Sequence, residues 1–252
     1  MQRYIFLDLD DTLFQTLRKC PEPKDDPRLA VRAFLPDGTP NSFATHKQQW
    51  LWDWLAKDFK MIPVTARDFN AFKRVTLGFH EEVILNHGAV ILTKQGELDR
   101  LWMAMLLAEL PRFHAQLLKI WGEITAYTAQ DSGYKLRLVN DFGVIWYGVV
   151  KHSAGTEAVL QTIIDAVLRN HPDIANGSLY WHLNGNNLAV LPKIINKESA
   201  VAYLINRYRQ LDPELLTIGA GDSKSDAAFM TLCDYAMIPS QTQLFKTLEQ
   251  IQ

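Results

Sequence analysis

Cysteine is scarce in this sequence, with only Cys20 and Cys233 among its 252 residues. The two form no CxxC pair and show no spacing typical of metal ligands. The seven histidines also lack the paired spacing that a zinc site requires. We therefore expect neither a disulfide framework nor a zinc site, and a reducing compartment fits such a sequence.

A charge surplus and a long apolar run are also missing. The 26 basic and 28 acidic side chains give a net charge of −2, which offers no electrostatic attraction to nucleic acid or to an anionic membrane. No apolar run reaches the roughly 18 residues of a membrane span, and a strand predicted almost at the first residue leaves no room for a signal peptide. We expect a cytoplasmic monomer or small homo-oligomer with no nucleic-acid or membrane partner.

The first strand predicted in the chain ends in a group of carboxylates. Residues 4–14 read YIFLDLDDTLF, and an apolar run without polar alternation is typical of a strand buried on both faces of a parallel sheet. Asp8 and Asp10 then lie at its carboxyl end, where open α/β sheets bind ligands. Two carboxylates at this spacing can approach one metal ion or one phosphoryl group, although Asp and Thr also suit a turn or a helix start.

The next elements continue an alternating pattern of helices and strands. After a loop at residues 15–28, we predict a Leu29–His46 hairpin, helices at 47–57 and 69–78, and strands at 59–64 and 82–85. The hairpin is either a surface decoration or a flap beside the site, and the sequence leaves both open. Thr65 follows a strand, where a hydroxyl and backbone N–H groups suit an anion, but Thr65 taken alone fits a helix cap better than a phosphate ligand.

A different pattern occupies residues 90–191. It begins with a short hairpin at 90–98 and a helix at 99–121 interrupted at Pro111. It continues with strands at 134–139 and 144–152, a helix at 156–169, and strands at 178–183 and 188–191. This αββαββ order predicts an antiparallel sheet with helices on one face. We interpret it as an inserted α+β domain that interrupts a core made of residues 1–89 and 192–252.

The remaining residues return to the first pattern. We predict a helix at 196–209 and a strand at 215–218, followed by the sequence GAGDSKSD at residues 219–226. A helix to residue 230 or beyond, a strand at 235–238 and a helix at 242–250 complete the core. The predicted fold class is therefore α/β, a Rossmann-like doubly wound parallel sheet core with an inserted α+β domain.

Four polar features follow strand ends or helix starts in chain order: Asp8 with Asp10, Thr65, Lys197, and Asp222 with Asp226. Together they suit phosphoryl transfer, which depends on positioning and on stabilisation of negative charge. One aspartate can attack phosphorus and form an aspartyl phosphate. A second carboxyl can protonate the leaving alcohol, Mg²⁺ favours carboxylate oxygens, and a hydroxyl with an ammonium can hold the phosphate.

These four segments resemble the four motifs of the haloacid dehalogenase superfamily of phosphohydrolases. FLDLDDT is similar to motif one, VTAR to motif two, Lys197 to motif three and GDSKSD to motif four. The αββαββ insert resembles the type-two cap of sugar phosphatases. The sequence around Lys193, Asn196 and Lys197 looks most like the sucrose-phosphate phosphatase branch.

The resemblance implies a Mg²⁺-dependent phosphatase that acts on a small phosphorylated metabolite, a sugar phosphate, through an aspartyl-phosphate intermediate. A phosphosugar mutase and a catalytically silent binding or regulatory protein of the same fold remain open alternatives. The roles implied by position are a nucleophile, Asp8; a general acid/base, Asp10; metal ligands, Asp8, the Asp10 carbonyl, Asp222 and Asp226; and phosphoryl ligands, Thr65 and Lys197 with the amides near Leu9 and Ala66. Whether Asp226 ligates the metal directly stays open.

Selectivity must come from a surface that touches the leaving group, because these motifs grip only the phosphoryl group. An insert between two site-bearing segments is well placed to do so. The candidates are polar or aromatic residues at its last two strands and at the return to the core: Trp181, His182, Asn184, Asn186 and Lys193. The alternative is that residues 184–187 form only a hairpin turn.

Overall fold

The structure is a computed structural model that describes residues 2–250. The chain divides into two compact units, which we call the core unit (Met1–Arg100 and Asn196–Gln252) and the inserted unit (Leu101–Ile195). Met1, Ile251 and Gln252, which belong to the predicted core, lie outside the described residues.

The elements of the chain fall into three successive segments. The first segment of the core unit contains β1 (Arg3–Leu7), β2 (Gln15–Thr16), β3 (Ala30–Phe34), β4 (Pro40–Ala44), α1 (His46–Asp58), β5 (Lys60–Pro63), α2 (Phe69–Phe72), β6 (Val83–Leu85) and β7 (Val90–Leu92). Next come α3 (Arg100–Glu109), α4 (Pro111–Thr128), β8 (Tyr134–Asp141), β9 (Val144–His152), α5 (Glu157–Ile163), α6 (Pro172–Ala175), β10 (Leu179–Leu183) and β11 (Leu188–Pro192). The chain ends with α7 (Lys197–Leu211), β12 (Leu216–Ala220), α8 (Lys224–Met230), β13 (Tyr235–Met237) and α9 (Gln243–Glu249).

A parallel sheet in the order β13-β12-β1-β5 forms the centre of the core unit and confirms the predicted fold class. β1 is central, and alternate side chains point to its two faces. Ile5 packs in a cluster with Leu55 of α1, while the Tyr4 ring stacks on Tyr208 of α7 at 4.2 Å between centroids. Because β1 needs apolar residues on both faces, its sequence shows no polar alternation.

The first strand is shorter than the sequence predicts. β1 ends at Leu7, and its predicted continuation to Phe14 is a tight loop in which the N–H groups of Leu13 and Phe14 donate to the carbonyl of Leu9, at 2.9 and 3.3 Å. Asp11 adopts a φ of 63° in this loop. A strand buried on both faces cannot carry a run of carboxylates without partners for their charge, so the chain turns at the sheet edge.

α2 covers only the first turn of the helix predicted over residues 69–78. Val75 instead bridges to Ala33 of β3, and the Thr76 N–H donates to the carbonyl of Arg32 at 2.9 Å. Both residues are β-branched and suit pairing with a strand, so tertiary contacts override the helical pattern here.

The predicted hairpin is confirmed as the antiparallel pair β3 and β4. The segment predicted as a loop at residues 15–28 adds an unexpected third strand, because β2 pairs with β4 to give the order β2-β4-β3. A separate two-stranded sheet joins β6 and β7.

The inserted unit contains the predicted antiparallel sheet, in the order β10-β11-β9-β8. α4 and α5 pack on one face around a buried apolar cluster that includes Leu117, Ile124 and Leu160. Gly148 of β9 lies under α4, where a Cβ would come within 2.2 Å of the Trp121 ring. Glycine therefore allows the helix to approach the sheet. α6 was not predicted.

The boundaries of the inserted unit differ from the predicted residues 90–191. Residues 90–92 stay in the core unit because β7 pairs with β6. At the other end, the Tyr180 hydroxyl donates to the carbonyl of Ile195 at 2.6 Å, which holds residues 193–195 to the inserted sheet. Among residues 2–250, no helix has the length and apolar character needed to cross a membrane.

Candidate active site

The carboxyl ends of β1 and β12 bring the predicted acidic residues together. Leu7, the last residue of β1, pairs with Ala220, the last residue of β12, so the loops that follow them leave the sheet side by side. Asp8, Asp222 and Asp226 are buried, and each offers an oxygen within 4.8 Å of the others. The sequence prediction of one acidic cluster from motifs more than 200 residues apart agrees with this placement.

Lys197 joins this cluster from the first residue of α7. Its Nζ donates to Oδ1 of Asp8 and to Oδ1 of Asp226, both at 2.6 Å. Burial alone would lower the pKa of this lysine, but the two carboxylates outweigh burial and raise the pKa above its usual value. The side chain is therefore a fixed positive charge inside the site.

The start of α7 is held by close backbone contact. Asn196 caps the helix, with its side chain accepting from the Ser199 N–H at 2.7 Å. Gly88, at φ 101°, lies so close that a Cβ there would come 2.1 Å from the Asn196 carbonyl oxygen. Only glycine fits this left-handed, crowded position, so the turn at residues 86–88 fixes where Lys197 begins its helix.

Asp226 is fully buried and engaged through both oxygens. While Oδ1 accepts from Lys197, Oδ2 accepts from the N–H and the hydroxyl of Ser223, at 2.9 and 2.6 Å, at the start of α8. Burial raises the pKa of Asp226, but Lys197 and the Ser223 donors outweigh burial and leave it below its usual value. Asp226 is thus an ionised partner of Lys197, beside the equally close contact of Lys197 with Asp8.

The charges of the other two carboxylates, Asp8 and Asp222, are compensated only in part. Burial raises the pKa of Asp8 well above its usual range, and nearby carboxylates add to the effect against the opposing Lys197. Burial, with the charges of Asp226 and Asp11, raises the pKa of Asp222 to about 7. Three buried carboxylates share one ammonium group, a donor set that fits a divalent cation with oxygen ligands.

Asp10 does not join the buried cluster. Its side chain is 50% exposed, and its carboxylate is held by Arg67, whose Nε donates to Oδ2 and Nη2 to Oδ1, both at 2.7 Å. Arg67 is not among the site residues predicted from the sequence. Its position directly after Thr65 and Ala66 was the available signal, but a pair of residues 57 positions apart cannot be identified from one sequence.

Thr65 lies two residues after the end of β5 and is buried at the same sheet edge. Its N–H donates to the carbonyl of Ile84 at 2.9 Å, and its hydroxyl accepts from the Arg67 N–H at 3.2 Å. The cap of α2 is Asp68, whose side chain accepts from the Ala71 N–H at 2.7 Å. The alternative interpretation of Thr65 as a helix cap is therefore wrong.

A family model described as sucrose-6F-phosphate phosphohydrolase matches residues 1–243. The chain belongs to this family. The enzyme class and the haloacid dehalogenase resemblance predicted from the sequence are thereby confirmed: the protein is a phosphatase, a phosphoric monoester hydrolase. No curated protein matches the chain in a sequence search.

Solved structures similar to this member of the sucrose-6F-phosphate phosphohydrolase family share its fold at low identity. The sucrose-phosphatase from Synechocystis sp. PCC6803, in complex with sucrose and phosphate, is 14% identical with a TM-score of 0.53, covering 100% of this chain and 97% of that one. The C-terminal domain of trehalose-6-phosphate phosphatase from C. albicans is 16% identical with a TM-score of 0.57, covering 91% and 73%. Protein 0175 from Thermoplasma acidophilum is 13% identical with a TM-score of 0.55, covering 100% and 96%.

The region matched by the sucrose-6F-phosphate phosphohydrolase family includes the selectivity candidates of the inserted unit, and several have structural contacts. Trp181 packs against the apolar cluster of that unit. Asn186 accepts from the His152 N–H and donates to the His152 carbonyl, at 2.9 and 2.8 Å. The Asn184 N–H donates to the Asn187 carbonyl within the turn.

His182 and Lys193 complete the set of candidates. His182 is partly buried and follows Trp181 on β10, so it points to the opposite face of the sheet from the apolar cluster. Lys193 follows β11, and its N–H donates to the Ser178 carbonyl at 3.0 Å.

Proposed function

We propose that the protein is a Mg²⁺-dependent phosphatase that hydrolyses a sugar phosphate through an aspartyl phosphate on Asp8. The observation that carries this proposal is the Lys197 bridge, which joins Asp8 and Asp226 inside a buried cluster that also contains Asp222. A buried ammonium beside a buried carboxylate suits a site that receives a phosphate group next to its nucleophile.

In the first half of the reaction, an Oδ atom of Asp8 attacks phosphorus as the bond from phosphorus to the ester oxygen breaks. Asp10 gives a proton to the departing sugar oxygen, which leaves as an alcohol. Its exposed side chain can reach a leaving group outside the buried cluster. Lys197 and the Thr65 hydroxyl bind phosphoryl oxygens, with the backbone amides of Leu9 and Ala66.

In the second half, a water molecule attacks the phosphorus of the aspartyl phosphate. Asp10 accepts the water proton, and the bond between phosphorus and the Asp8 oxygen breaks, which releases inorganic phosphate and restores the carboxylate. The same carboxyl group thus donates and then recovers one proton in each turnover.

Asp8, Asp222 and the Asp10 backbone carbonyl are the residues that would hold Mg²⁺, with Asp226 supporting them through its fixed orientation. When bound, the cation would reduce the repulsion between the nucleophile and the phosphate dianion. The raised pKa values of Asp8 and Asp222 support a cation there, because both carboxylates are buried without full compensation.

Family membership supports the proposed substrate class. The matched family is described by a sucrose-6F-phosphate activity, so this ester is the first substrate to test, beside other disaccharide and hexose phosphates. A panel of such esters, assayed for inorganic phosphate with Mg²⁺ and with chelator, tests the proposal. We expect Mg²⁺-dependent release of phosphate from at least one sugar phosphate. Formation of an isomeric phosphosugar without released phosphate would indicate a mutase instead. Undiminished activity in chelator would show that the reaction does not need Mg²⁺.

A further inference from the structure

We propose that Arg67 is a positioning residue for Asp10, which it holds in the orientation needed for proton transfer; this inference rests on the proposed function. The two side chains form a two-pronged pair, with Nε to Oδ2 and Nη2 to Oδ1 both at 2.7 Å. Such a planar fork fixes direction as well as distance, which a single hydrogen bond or a lysine ammonium cannot do.

Arg67 is itself held in place by its surroundings. Its side chain is only 14% exposed, and its guanidinium lies over the Phe14 ring at 5.2 Å from the centroid. Nη1 also donates to the Ala71 carbonyl at 3.4 Å. These contacts do not involve Asp10, so the fork is a fixed support and not two mobile side chains that happen to meet.

Packing alone does not fix Asp10, which is half exposed and lies in a loop. A carboxylate in that setting samples several rotamers. Because Arg67 engages both oxygens, it removes that freedom and orients the group before a leaving oxygen arrives. A displacement of about 1 Å at a catalytic group can cost roughly 10²-fold in rate.

The backbone of Arg67 adds a second link. Its N–H donates to the Thr65 hydroxyl at 3.2 Å, so one residue contacts both the proposed phosphoryl ligand and the proposed acid/base. The loop after β5 thereby sets the distance between the group that grips phosphate and the group that transfers the proton.

Leaving-group dependence separates this role from direct binding of substrate by Arg67. A sugar alcohol needs protonation as it leaves, whereas a nitrophenol leaves with little help. Loss of positioning must therefore slow sugar phosphate hydrolysis and spare nitrophenyl phosphate. If the Arg67 guanidinium instead bound the phosphate, its loss would slow the hydrolysis of both substrates alike.

The experiment measures kcat/KM for a sugar phosphate and for nitrophenyl phosphate in Arg67→Ala, Arg67→Lys, Asp10→Asn and the double variant Arg67→Ala/Asp10→Asn. Arg74→Ala is the matched control, because Arg74 bonds the carbonyls of Phe34 and Asn70 in the same unit and contacts no site carboxylate. Thermal unfolding of each variant checks that it is folded.

We expect Arg67→Ala to lose about 10–10²-fold on the sugar phosphate and under about 3-fold on nitrophenyl phosphate. Arg67→Lys should lose nearly as much, because it keeps the charge but not the fork, and Arg74→Ala should stay near the parent. In the Asp10→Asn background, Arg67→Ala should add little, because the residue it positions is already disabled. Equal losses on both substrates, or full additivity with Asp10→Asn, would overturn the inference, whereas a folded parent that releases no phosphate from any ester would overturn the proposed function itself.

Discussion

At the scale of single residues, the site contains more buried negative charge than positive charge. Asp8, Asp222 and Asp226 are buried together, and Lys197 can neutralise only part of their charge. Lys197 donates to Asp8 and to Asp226 at the same distance of 2.6 Å, but only the pKa of Asp226 is lowered, which leaves Asp8 and Asp222 in need of a cation. Buried charge of this kind lowers folding stability unless it is paired. The acidic cluster therefore destabilises the protein without its ligands, and we expect ligand binding to restore that stability.

Asp222 should make the stabilising effect of Mg²⁺ depend on pH. Its pKa rises from 3.8 to about 7 in the folded protein, so without metal the protonated form stabilises the fold, and that contribution is lost as pH rises from about 4 through 7. Mg²⁺ competes with this proton. The increase in Tm on adding Mg²⁺ should therefore be larger at about pH 8 than at about pH 5.5.

The control for this measurement is Asp222→Asn, which removes this carboxyl and its proton, so its Mg²⁺ effect should be smaller than that of the parent and should change less between the two pH values, with Asp8 as the remaining carboxyl of raised pKa. If the parent gains the same Tm from Mg²⁺ at both pH values, Asp222 does not ligate the metal through its carboxylate.

At the scale of elements, the position of α7 depends on a glycine in a separate turn. Gly88→Ala should place a Cβ 2.1 Å from the Asn196 carbonyl oxygen, so the helix start and Lys197 must shift. Gly96→Ala is the matched control, because Gly96 also has a positive φ, of 78°, but no atom within 4 Å of its Cβ position. Chemical unfolding should show a loss of about 1–2 kcal/mol for Gly96→Ala, from backbone strain alone.

Gly88→Ala should lose more than that, and its phosphate release should fall as well, because the displaced Lys197 no longer bridges the two carboxylates. Similar stability losses for the two variants, with activity retained in both, would show that the turn at residues 86–88 does not position α7.

The sequence predicts elements well where burial sets the pattern and poorly where distant residues compete. β1, β5 and β12 follow from apolar runs, and their ends correctly locate the acidic cluster. Val75 and Thr76 belong to a predicted helix but pair with the hairpin, since strand partners outweigh local propensity. The fork between Arg67 and Asp10 was missed because it depends on how two loops meet.

At the scale of the whole molecule, we predict that the core unit binds the phosphoryl group and that the inserted unit selects the sugar. The core unit contains every residue proposed to hold the phosphoryl group, so discrimination among sugars needs other contacts. Each unit has its own buried apolar cluster. We therefore expect substitutions on the inserted sheet to change selectivity without dismantling the phosphate site.

His182→Ala and Lys193→Ala should lower kcat/KM for the preferred sugar phosphate and leave nitrophenyl phosphate nearly unchanged, because binding energy from remote parts of a substrate lowers the barrier only when those parts exist. Asn186→Ala should instead lower Tm through its lost bonds to His152. Lys197→Ala should depress both substrates alike. Parallel losses on both substrates for His182→Ala and Lys193→Ala would show that these residues do not determine selectivity. The Leu29–His46 hairpin would then be the next candidate.

Attack of Asp8 on phosphorus is tested by the steady-state phosphate release of Asp8→Asn. The amide keeps the size of the side chain but is not a nucleophile. With saturating Mg²⁺ and the preferred sugar phosphate, we expect a loss of about 10³-fold or more relative to the parent, in a variant whose thermal unfolding remains cooperative. Phosphate release at close to the parental rate from folded Asp8→Asn would contradict the covalent mechanism.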